Sequence, residues 1–289
     1  DGDDDNDGAL DDDDSNDINE FVCSDNDLDG CEDCLSGSYD TDNDGPDADE
    51  DGQCDVGDSD VLLSPGANLI SFYSLPADGD YSVESIFGQL GDNISAVIGE
   101  SQIALQIDTD LWVGSMDAVS AADGYWTINQ DIGVLEVQGL PTAPVFYSLA
   151  AGNNLISYPY AYANTLENGL PDGLSLQAIY GEGVAAINVE GSWAGALDGF
   201  EGGSGYWFVS SEASQFEYNE PDLGGARLAA QPAVPEEYQF NQSINQFFYF
   251  VEEAEINDIA LSSGDWLVAY NDDVIVGSRM YNANGMIDI

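Results

Sequence analysis

The first 60 residues restrict the fold of this chain more than any other part of it. They contain 23 aspartates and 3 glutamates but neither lysine nor arginine, and their few apolar side chains are too scattered to form a core. Carboxylates that are brought together without a cation repel one another and are costly to bury. We therefore expect this segment to stay expanded unless divalent ions neutralise it.

The aspartates recur at the spacing of a calcium-binding loop. Such a loop takes oxygen ligands from positions 1, 3 and 5, turns at a glycine in position 6, and adds oxygens near positions 7, 9 and 12. The pattern occurs four times, with Gly8, Gly30, Gly45 and Gly52 at the sixth place. The predicted Ca²⁺ ligands are Asp3, Asp5, Asp7, Asp11, Asp14, Asp25, Asp27, Asp29, Asp33, Asp40, Asp42, Asp44, Asp47, Asp49, Asp51, Asp55 and Asp58.

The third and fourth loops overlap, so Asp47, Asp49 and Asp51 are placed to bridge neighbouring ions. No amphipathic helix brackets any of the loops, which argues against an EF-hand. The alternative to calcium binding is a solvated acidic tail. The regular glycine at the sixth place favours calcium.

In its motifs DNDLDGCEDC and DTDNDGPDADEDGQCD, the segment resembles the thrombospondin type 3 repeat family. The resemblance covers about residues 1–60, although the first loop lacks a cysteine. It implies a ribbon with almost no apolar core, in which calcium ions form the interior and cysteines link successive repeats. By the same resemblance, the aspartates named above are the ligands.

All four cysteines, Cys23, Cys31, Cys34 and Cys54, lie in this segment. Cys31 and Cys34 form a CxxC pair, which raises zinc or redox chemistry as alternatives. The chain has no second CxxC and no histidine to complete a zinc site. We expect structural disulfides instead, with three pairings open, and hence an oxidising, extracellular or cell-surface location.

The charge of the whole chain argues against several classes of function. It has 57 acidic and 2 basic residues, a formal charge of −55, and no lysine or histidine. Nucleic-acid binding is not expected without a basic patch. Mechanisms that need a catalytic histidine or lysine are excluded. No acid in residues 61–289 lies in a recognisable catalytic motif, so we expect no enzyme activity.

The chain also lacks the signals of membrane insertion or export. No stretch approaches the roughly 20 apolar residues of a membrane span, so membrane insertion is not expected. No signal peptide opens the chain, which begins inside an acidic run. We expect it to be a processed or partial piece of a longer secreted precursor.

Beyond residue 60 the sequence repeats itself. GANLIS at 66–71 returns as GNNLIS at 152–157, WVGSM at 112–116 as WAGAL at 193–197, and GYW at 124–126 as GYW at 205–207. Short β-prone segments lie between Gly, Asn and Asp, and Ser82 is expected to cap one helical turn. We predict a mainly β fold with tandem β-sandwich-like domains, repeat 1 at 61–142 and repeat 2 at 143–223.

The two repeats resemble small surface modules of secreted marine bacterial proteins that open with GWNLIS and close with GYW. Ala67 and Asn153 stand where that family often has tryptophan. The resemblance implies a β fold at the cell surface and no defined activity.

Four of the five tryptophans occupy repeated positions: Trp112, Trp126, Trp193 and Trp207. They form either a stacking platform for sugar rings or the cores of the two repeats. Equivalent placement in both repeats favours the cores. One face of each GYW strand is expected to point outward, with Tyr125 or Tyr206 exposed.

Residues 224–237 contain Pro232 and Pro235 and are predicted to be a linker. The segment 238–289 shows β patterns at 246–251, 265–270 and 274–281, and a hairpin turn at 271–273. It resembles another secreted bacterial β module, with strands of the types FYFF and DWVGAF. At this length we expect it to be truncated, or completed by another chain.

These patterns together predict a non-enzymatic extracellular structural subunit. It is stabilised by Ca²⁺ and self-assembles into a filament or surface layer by β-strand exchange, so its main partner is a second copy of itself. The alternative is a calcium-dependent adhesion module that binds glycans.

Overall fold

The computed structural model describes residues 2–11, 14–16, 18–19, 22–24, 26, 33–34, 38–41, 60–109, 111–137, 139–221, 228, 232–283 and 285–289. The chain forms two compact units, Asp1–Leu62 and Leu63–Ile289. It is mainly β, with antiparallel sheets, which confirms the predicted fold class. Within the described ranges, no helix has the length and hydropathy to cross a membrane.

The N-terminal unit has turns and bends but no regular element among its described residues up to residue 60. Cys23 and Cys34 form a disulfide, and both pack with Ala9 in a small buried cluster. This confirms a structural disulfide for that pair and shows that Cys34 is not paired with Cys31. Cys31 and Cys54 lie outside the described residues.

The first repeat contains strands β1 (Val61–Leu63), β2 (Gly66–Ile70), β3 (Ser74–Leu75), β4 (Ile94–Ile98), β5 (Ile103–Asp108), β6 (Leu111–Gly114), β7 (Tyr125–Asn129), β8 (Gly133–Leu135) and β9 (Leu140–Pro141). Helix α1 (Val83–Phe87) and a 3₁₀ segment (Gly88–Asn93) follow β3. Five strands form one antiparallel sheet in the order β2-β7-β4-β5-β6. Ser82 caps α1 as predicted, because its Oγ accepts the Ser85 N–H at 3.2 Å.

The second repeat contains strands β10 (Tyr147–Leu149), β11 (Gly152–Ser157), β12 (Asn164–Thr165), β13 (Leu176–Tyr180), β14 (Ala185–Val189), β15 (Ser192–Gly195), β16 (Gly199–Phe200), β17 (Gly205–Ser210) and β18 (Ser214–Phe216), and helix α2 (Leu166–Gly169). Its main sheet has the order β11-β17-β13-β14-β15, the same topology as the first. Thr165 caps α2 at the place of Ser82. The GYW motifs therefore occupy equivalent strands, β7 and β17.

The C-terminal module contains the 3₁₀ turn Glu236–Tyr238 and strands β19 (Phe250–Val251), β20 (Glu255–Ile256), β21 (Ile259–Ala260), β22 (Trp266–Asn271), β23 (Val274–Met280) and β24 (Ile287–Asp288). The predicted hairpin turn joins β22 to β23. The strand predicted at 246–251 is shorter in the structure: β19 covers 250–251 and pairs with β24, and Tyr249 exchanges two backbone hydrogen bonds with Ile289, but 246–248 form no strand. We call residues 239–249 the strap. Half of the predicted linker, residues 224–227 and 229–231, lies outside the described residues.

The core of the second repeat is aromatic. On the inner face of its main sheet, Phe200 stacks on Tyr158 with ring centroids 5.4 Å apart and meets Tyr206 edge-on at 5.1 Å. Tyr147 stacks on Phe216 at 5.1 Å, which ties β10 and β18 to the same core. Aromatic side chains make up seven of the fourteen buried residues in this core.

The outer faces of the two main sheets pack against each other. Leu69, Trp126 and Leu155 are buried in this contact, and Trp207 packs against them. The leucines come from the two NLIS motifs and the tryptophans from the two GYW motifs. Trp126 is only 3 % exposed, but it and Trp207 fill the contact between the repeats and not the core of either repeat, whereas Trp193 packs against the core of the second repeat as predicted.

Polar contacts across this interface are reciprocal. The Ser71 N–H donates to the Gly203 carbonyl at 2.7 Å, and the equivalent Ser157 N–H donates to the Ala122 carbonyl at 3.1 Å. These two hydrogen bonds are counterparts of each other with the repeats exchanged. The two repeats are related by an approximate twofold axis, as in an isologous dimer formed within one chain.

Two glutamates form a second pair of reciprocal hydrogen bonds between the repeats. Glu182 Oε2 accepts the Leu69 N–H at 2.6 Å, and Glu100 Oε2 accepts the Leu155 N–H at 3.1 Å. Although part of the Glu182 side chain is exposed, desolvation of its carboxyl in the contact raises its pKa from 4.5 to about 7. The hydrogen bond from Leu69 acts in the opposite direction but does not cancel that cost.

The glycine of each GYW motif allows the backbones to approach at this axis. A Cβ on Gly205 would lie 2.6 Å from the Ile70 carbonyl oxygen, and one on Gly124 would lie 2.8 Å from the Ile156 oxygen. The prediction that a GYW tyrosine is exposed is wrong for both. Tyr125 and Tyr206 are buried, since each ring points into its own repeat core while the neighbouring tryptophan points to the interface.

Replacing Trp126 by alanine should lower the free energy of unfolding by about 3–5 kcal/mol, because the ring fills the contact between the repeats. Denaturant unfolding followed by circular dichroism, in calcium, measures this. Ile132→Ala is the control, since that side chain is 71 % exposed, and it should change stability by no more than about 0.5 kcal/mol. A Trp126→Ala protein as stable as the control would contradict the packing described above.

Glu182 should make the repeat pair less stable as pH rises. An acid whose pKa is raised on folding binds its proton more tightly in the native state, so the free energy of unfolding falls between pH 4.5 and about 7 and then levels off. Glu182→Gln removes this ionisation while its amide oxygen still accepts the Leu69 N–H. The variant should therefore show a smaller decline than the wild type.

Urea midpoints followed by tryptophan fluorescence at about pH 5 and about pH 8 test this. Glu100→Gln makes the same charge change at the equivalent position, and it separates a loss of net charge from the ionisation of Glu182. Equal declines in the wild type and in Glu182→Gln would show that Glu182 is not the cause.

Candidate functional site

The first predicted calcium loop brings its leading aspartates together. One carboxylate oxygen from each of Asp3, Asp5 and Asp7 lies within 4.8 Å of the others. The backbone turns through positive φ at Asn6 (66°) and Gly8 (103°), conformations that favour glycine and asparagine. The alternate side chains consequently converge on one point, as the spacing predicts.

Asp7 is at the centre of this cluster and only 2 % exposed. Its Oδ1 accepts the Ala9 N–H at 2.7 Å, and Asp5 Oδ1 accepts the Asp7 N–H at 3.3 Å. Among the described residues, the second oxygens of Asp5 and Asp7 are buried without a hydrogen-bond partner. Such atoms are costly unless something positive meets them.

The electrostatics of the cluster are unfavourable without a cation. Burial raises the pKa of Asp7, and the neighbouring carboxylates of Asp5, Asp14 and Asp3 raise it further, whereas the hydrogen bond from Ala9 lowers it. Clustered hard oxygen donors at this spacing match the ligand preference of Ca²⁺. A calcium ion here would meet the buried oxygens and offset the repulsion.

The other two ligands predicted for this loop lie at its edge. Asp11 Oδ1 accepts the Asp4 N–H at 3.1 Å, so it closes the loop on itself. Asp14 Oδ1 accepts the Asn16 N–H at 2.7 Å. The Tyr39 N–H donates to the Asp7 carbonyl at 2.8 Å and ties the first loop to the start of the third.

Asp33, a predicted ligand of the second loop, is fully buried. Its Oδ2 accepts the Asn26 N–H at 3.1 Å, while its Oδ1 has no partner among the described residues. The Asp40 N–H donates to the Asp33 carbonyl at 2.9 Å. The remaining predicted ligands lie outside the described residues: Asp25, Asp27, Asp29, Asp42, Asp44, Asp47, Asp49, Asp51, Asp55 and Asp58.

In the second compact unit, the C-terminal module docks on the second repeat through a buried charge. Asp288 is fully buried and accepts the Ala185 N–H at 3.1 Å and the Ala196 N–H. Arg279 forms an ion pair with Asp288 at 3.3 Å and donates to the Gly183 carbonyl. Burial raises the pKa of Asp288, and the Arg279 charge opposes that shift.

This docking distinguishes the two repeats. In the first repeat, the Ile103 N–H donates to Ser115 Oγ at 3.2 Å, so the repeat satisfies that group itself. Ala196 stands in the place of Ser115 and has no hydroxyl, so the equivalent N–H of Ala185 needs an outside acceptor. Asp288 supplies it. The residue that could have indicated this docking from the sequence is Arg279, one of only two cations in the chain.

The strap crosses both repeats before the module begins. The Ala67 N–H donates to the Gln242 carbonyl at 3.1 Å, and Gln246 Oε1 accepts the Gly183 N–H at 2.7 Å. Phe248 stacks on Tyr180, at the outer face of the second sheet, with ring centroids 5.4 Å apart. The C-terminal module is therefore held against the repeats by polar and aromatic contacts.

A groove of about 1070 Å³ lies between the strap and the β22–β23 hairpin. Phe247, Tyr249, Tyr270, Val274 and Val276 line it, and Phe247 and Tyr249 are 79 % and 62 % exposed. Among the described residues, β22 and β23 pair only with each other. The hairpin thus presents open edges beside an apolar surface.

Comparison of the chain with protein-family models, with curated proteins and with solved structures found no match. The resemblances to thrombospondin type 3 repeats and to GWNLIS/GYW modules therefore rest on the motifs. Function has to be argued from the geometry of the calcium loop and of the groove.

Asp7→Asn should reduce the number of calcium ions bound by the chain by one, because it removes charge at the centre of the first loop but keeps the hydrogen bond from Ala9. Isothermal titration of the full chain gives the stoichiometry. Asp4→Asn is the control, since Asp4 is exposed and outside the predicted ligand set, and it should bind as the wild type does. An unchanged stoichiometry in Asp7→Asn would exclude this loop.

Proposed function

We propose that the chain is a non-enzymatic extracellular structural subunit, stabilised by Ca²⁺ and assembled by β-strand exchange into a filament or surface layer. The observation that carries this proposal is the C-terminal module. It combines an apolar groove with a hairpin whose outer edges are open among the described residues.

A two-stranded hairpin is marginally stable alone, and exposed edges with apolar side chains attract another strand. A strand from a second copy would add main-chain hydrogen bonds to the β22–β23 edge and place its side chains in the groove. The exposed rings of Phe247 and Tyr249, only 5.4 Å apart, would then be covered. A strand from another chain would thus pair the open edge of the hairpin and cover the exposed apolar side chains.

Calcium has two roles in this proposal. In the N-terminal unit it offsets the repulsion among Asp3, Asp5 and Asp7 and orders the loops. In an assembly it also reduces the repulsion between copies that each carry a formal charge of −55. Assembly should therefore require calcium beyond the amount that folds one chain.

A glycan-binding function has one observation in its favour. Trp112, Met116, Asp117 and Glu84 line a pocket of about 460 Å³ on the first repeat, a mixture of ring and carboxylate that suits a sugar. Trp126 and Trp207 lie in the interface between the repeats and are not available as a platform. Loss of glycan binding in Trp112→Ala would favour this candidate.

Electron microscopy and sedimentation of the purified chain test assembly. In millimolar calcium we expect filaments or sheets, and after chelation we expect single subunits, with the tryptophan fluorescence of the repeats largely unchanged. A chain that stays monomeric at high concentration in calcium would overturn the proposal.

A further inference from the structure

We infer that the groove of the C-terminal module in one copy receives the outer edge hairpin of the first repeat, β5–β6, from the next copy. This inference rests on the proposed self-assembly, and it names the two surfaces that meet. Both surfaces belong to this chain, so the partner is a second copy of it.

The first observation is an apolar face on β5–β6. Leu105, Ile107, Leu111 and Val113 are between 42 % and 61 % exposed. Leu105 and Val113 are register partners, and successive partners across the sheet place them on the same outer face as Trp126. Near β2 this face is buried against the second repeat, and the remainder, at β6, is open. Four large apolar side chains side by side on one edge hairpin are typical of an interaction surface.

The second observation comes from the approximate twofold axis. On the second repeat, the strap covers the outer face at Tyr180, and Asp288 docks at Ala185 and Ala196. The equivalent face of the first repeat is the one that carries Leu105 and Val113. The C-terminal module thus occupies one of two related faces, and the described residues leave the other exposed.

The third observation is how the repeats differ in sequence at this edge. Leu111 and Val113 on β6 correspond to Ser192 and Ala194 on β15. The fold accepts small residues at these positions, so the first repeat does not need its larger apolar ones for folding. Leu111 and Val113 are therefore available for a contact outside their own repeat.

The two surfaces are complementary. Strand β6 ends the order of its sheet, so its backbone N–H and C=O groups are open on one side. The groove offers open strand edges and apolar walls, and it can accept an extended strand with Leu111 and Val113 pointing inward. A contact between two different surfaces of one chain does not close on itself, so it propagates as a filament unless its rotation forms a ring.

The test uses two variants that each remove one surface. The face variant, Leu111→Ser with Val113→Ala, installs the residues that β15 already carries. The groove variant is Phe247→Ser with Val274→Thr, two exposed positions. In calcium, each variant alone should need more than about ten times the wild-type concentration to assemble, or remain monomeric. An equimolar mixture should form heterodimers, because one intact surface remains on each partner.

Sedimentation velocity with a fluorescent label on one variant resolves these species, and circular dichroism shows that each variant is folded. Val189→Ser, on the β14–β15 hairpin of the second repeat, is the control and should assemble as the wild type does. A face variant that assembles normally, or a mixture without heterodimers, would overturn the inference while wild-type filaments preserve the proposed function. Wild-type monomers in calcium would overturn both.

Discussion

The packing of one main sheet against the other, through Leu69, Trp126, Leu155 and Trp207, is the contact on which the rest of the second unit depends. Because the same motif supplies equivalent residues twice, the contact is nearly symmetric. The carboxylates of Glu100 and Glu182 each accept a backbone N–H from the other repeat. Most of the repeated sequence signature therefore serves to join the two repeats. Motif residues that are buried in this contact are not available to bind a ligand.

The symmetry is broken by the C-terminal module, and the reason is chemical. Ser115 satisfies a backbone donor within the first repeat, whereas Ala196 leaves the equivalent donor in the second repeat to Asp288. The buried carboxylate is matched by Arg279, which is notable in a chain with so few cations. The second repeat therefore binds the C-terminal module, and the first repeat keeps an exposed apolar outer edge.

The N-terminal unit has few apolar side chains, so it needs another source of stability. Its described core is a disulfide and one alanine, and the side chains of Asp3, Asp5 and Asp7 converge with Asp7 buried. Buried carboxylate oxygens beside other carboxylates are costly unless a cation meets them or one of the carboxyls is protonated. In this unit, calcium would take the part that hydrophobic burial takes in the repeats.

The sequence by itself determined the mainly β fold, the repetition, the Ser82 cap and the convergence of Asp3, Asp5 and Asp7, because each follows from local spacing or local hydrogen bonding. The tertiary structure decided what local patterns do not contain. Tyr125 turned inward and Trp126 outward because a second sheet covers the outer face. Residues 246–248 did not become part of a strand, since the strap instead bonds to both repeats through Gln242 and Gln246. Which surfaces remain exposed depends on how the repeats meet, and alternation along one strand cannot specify that.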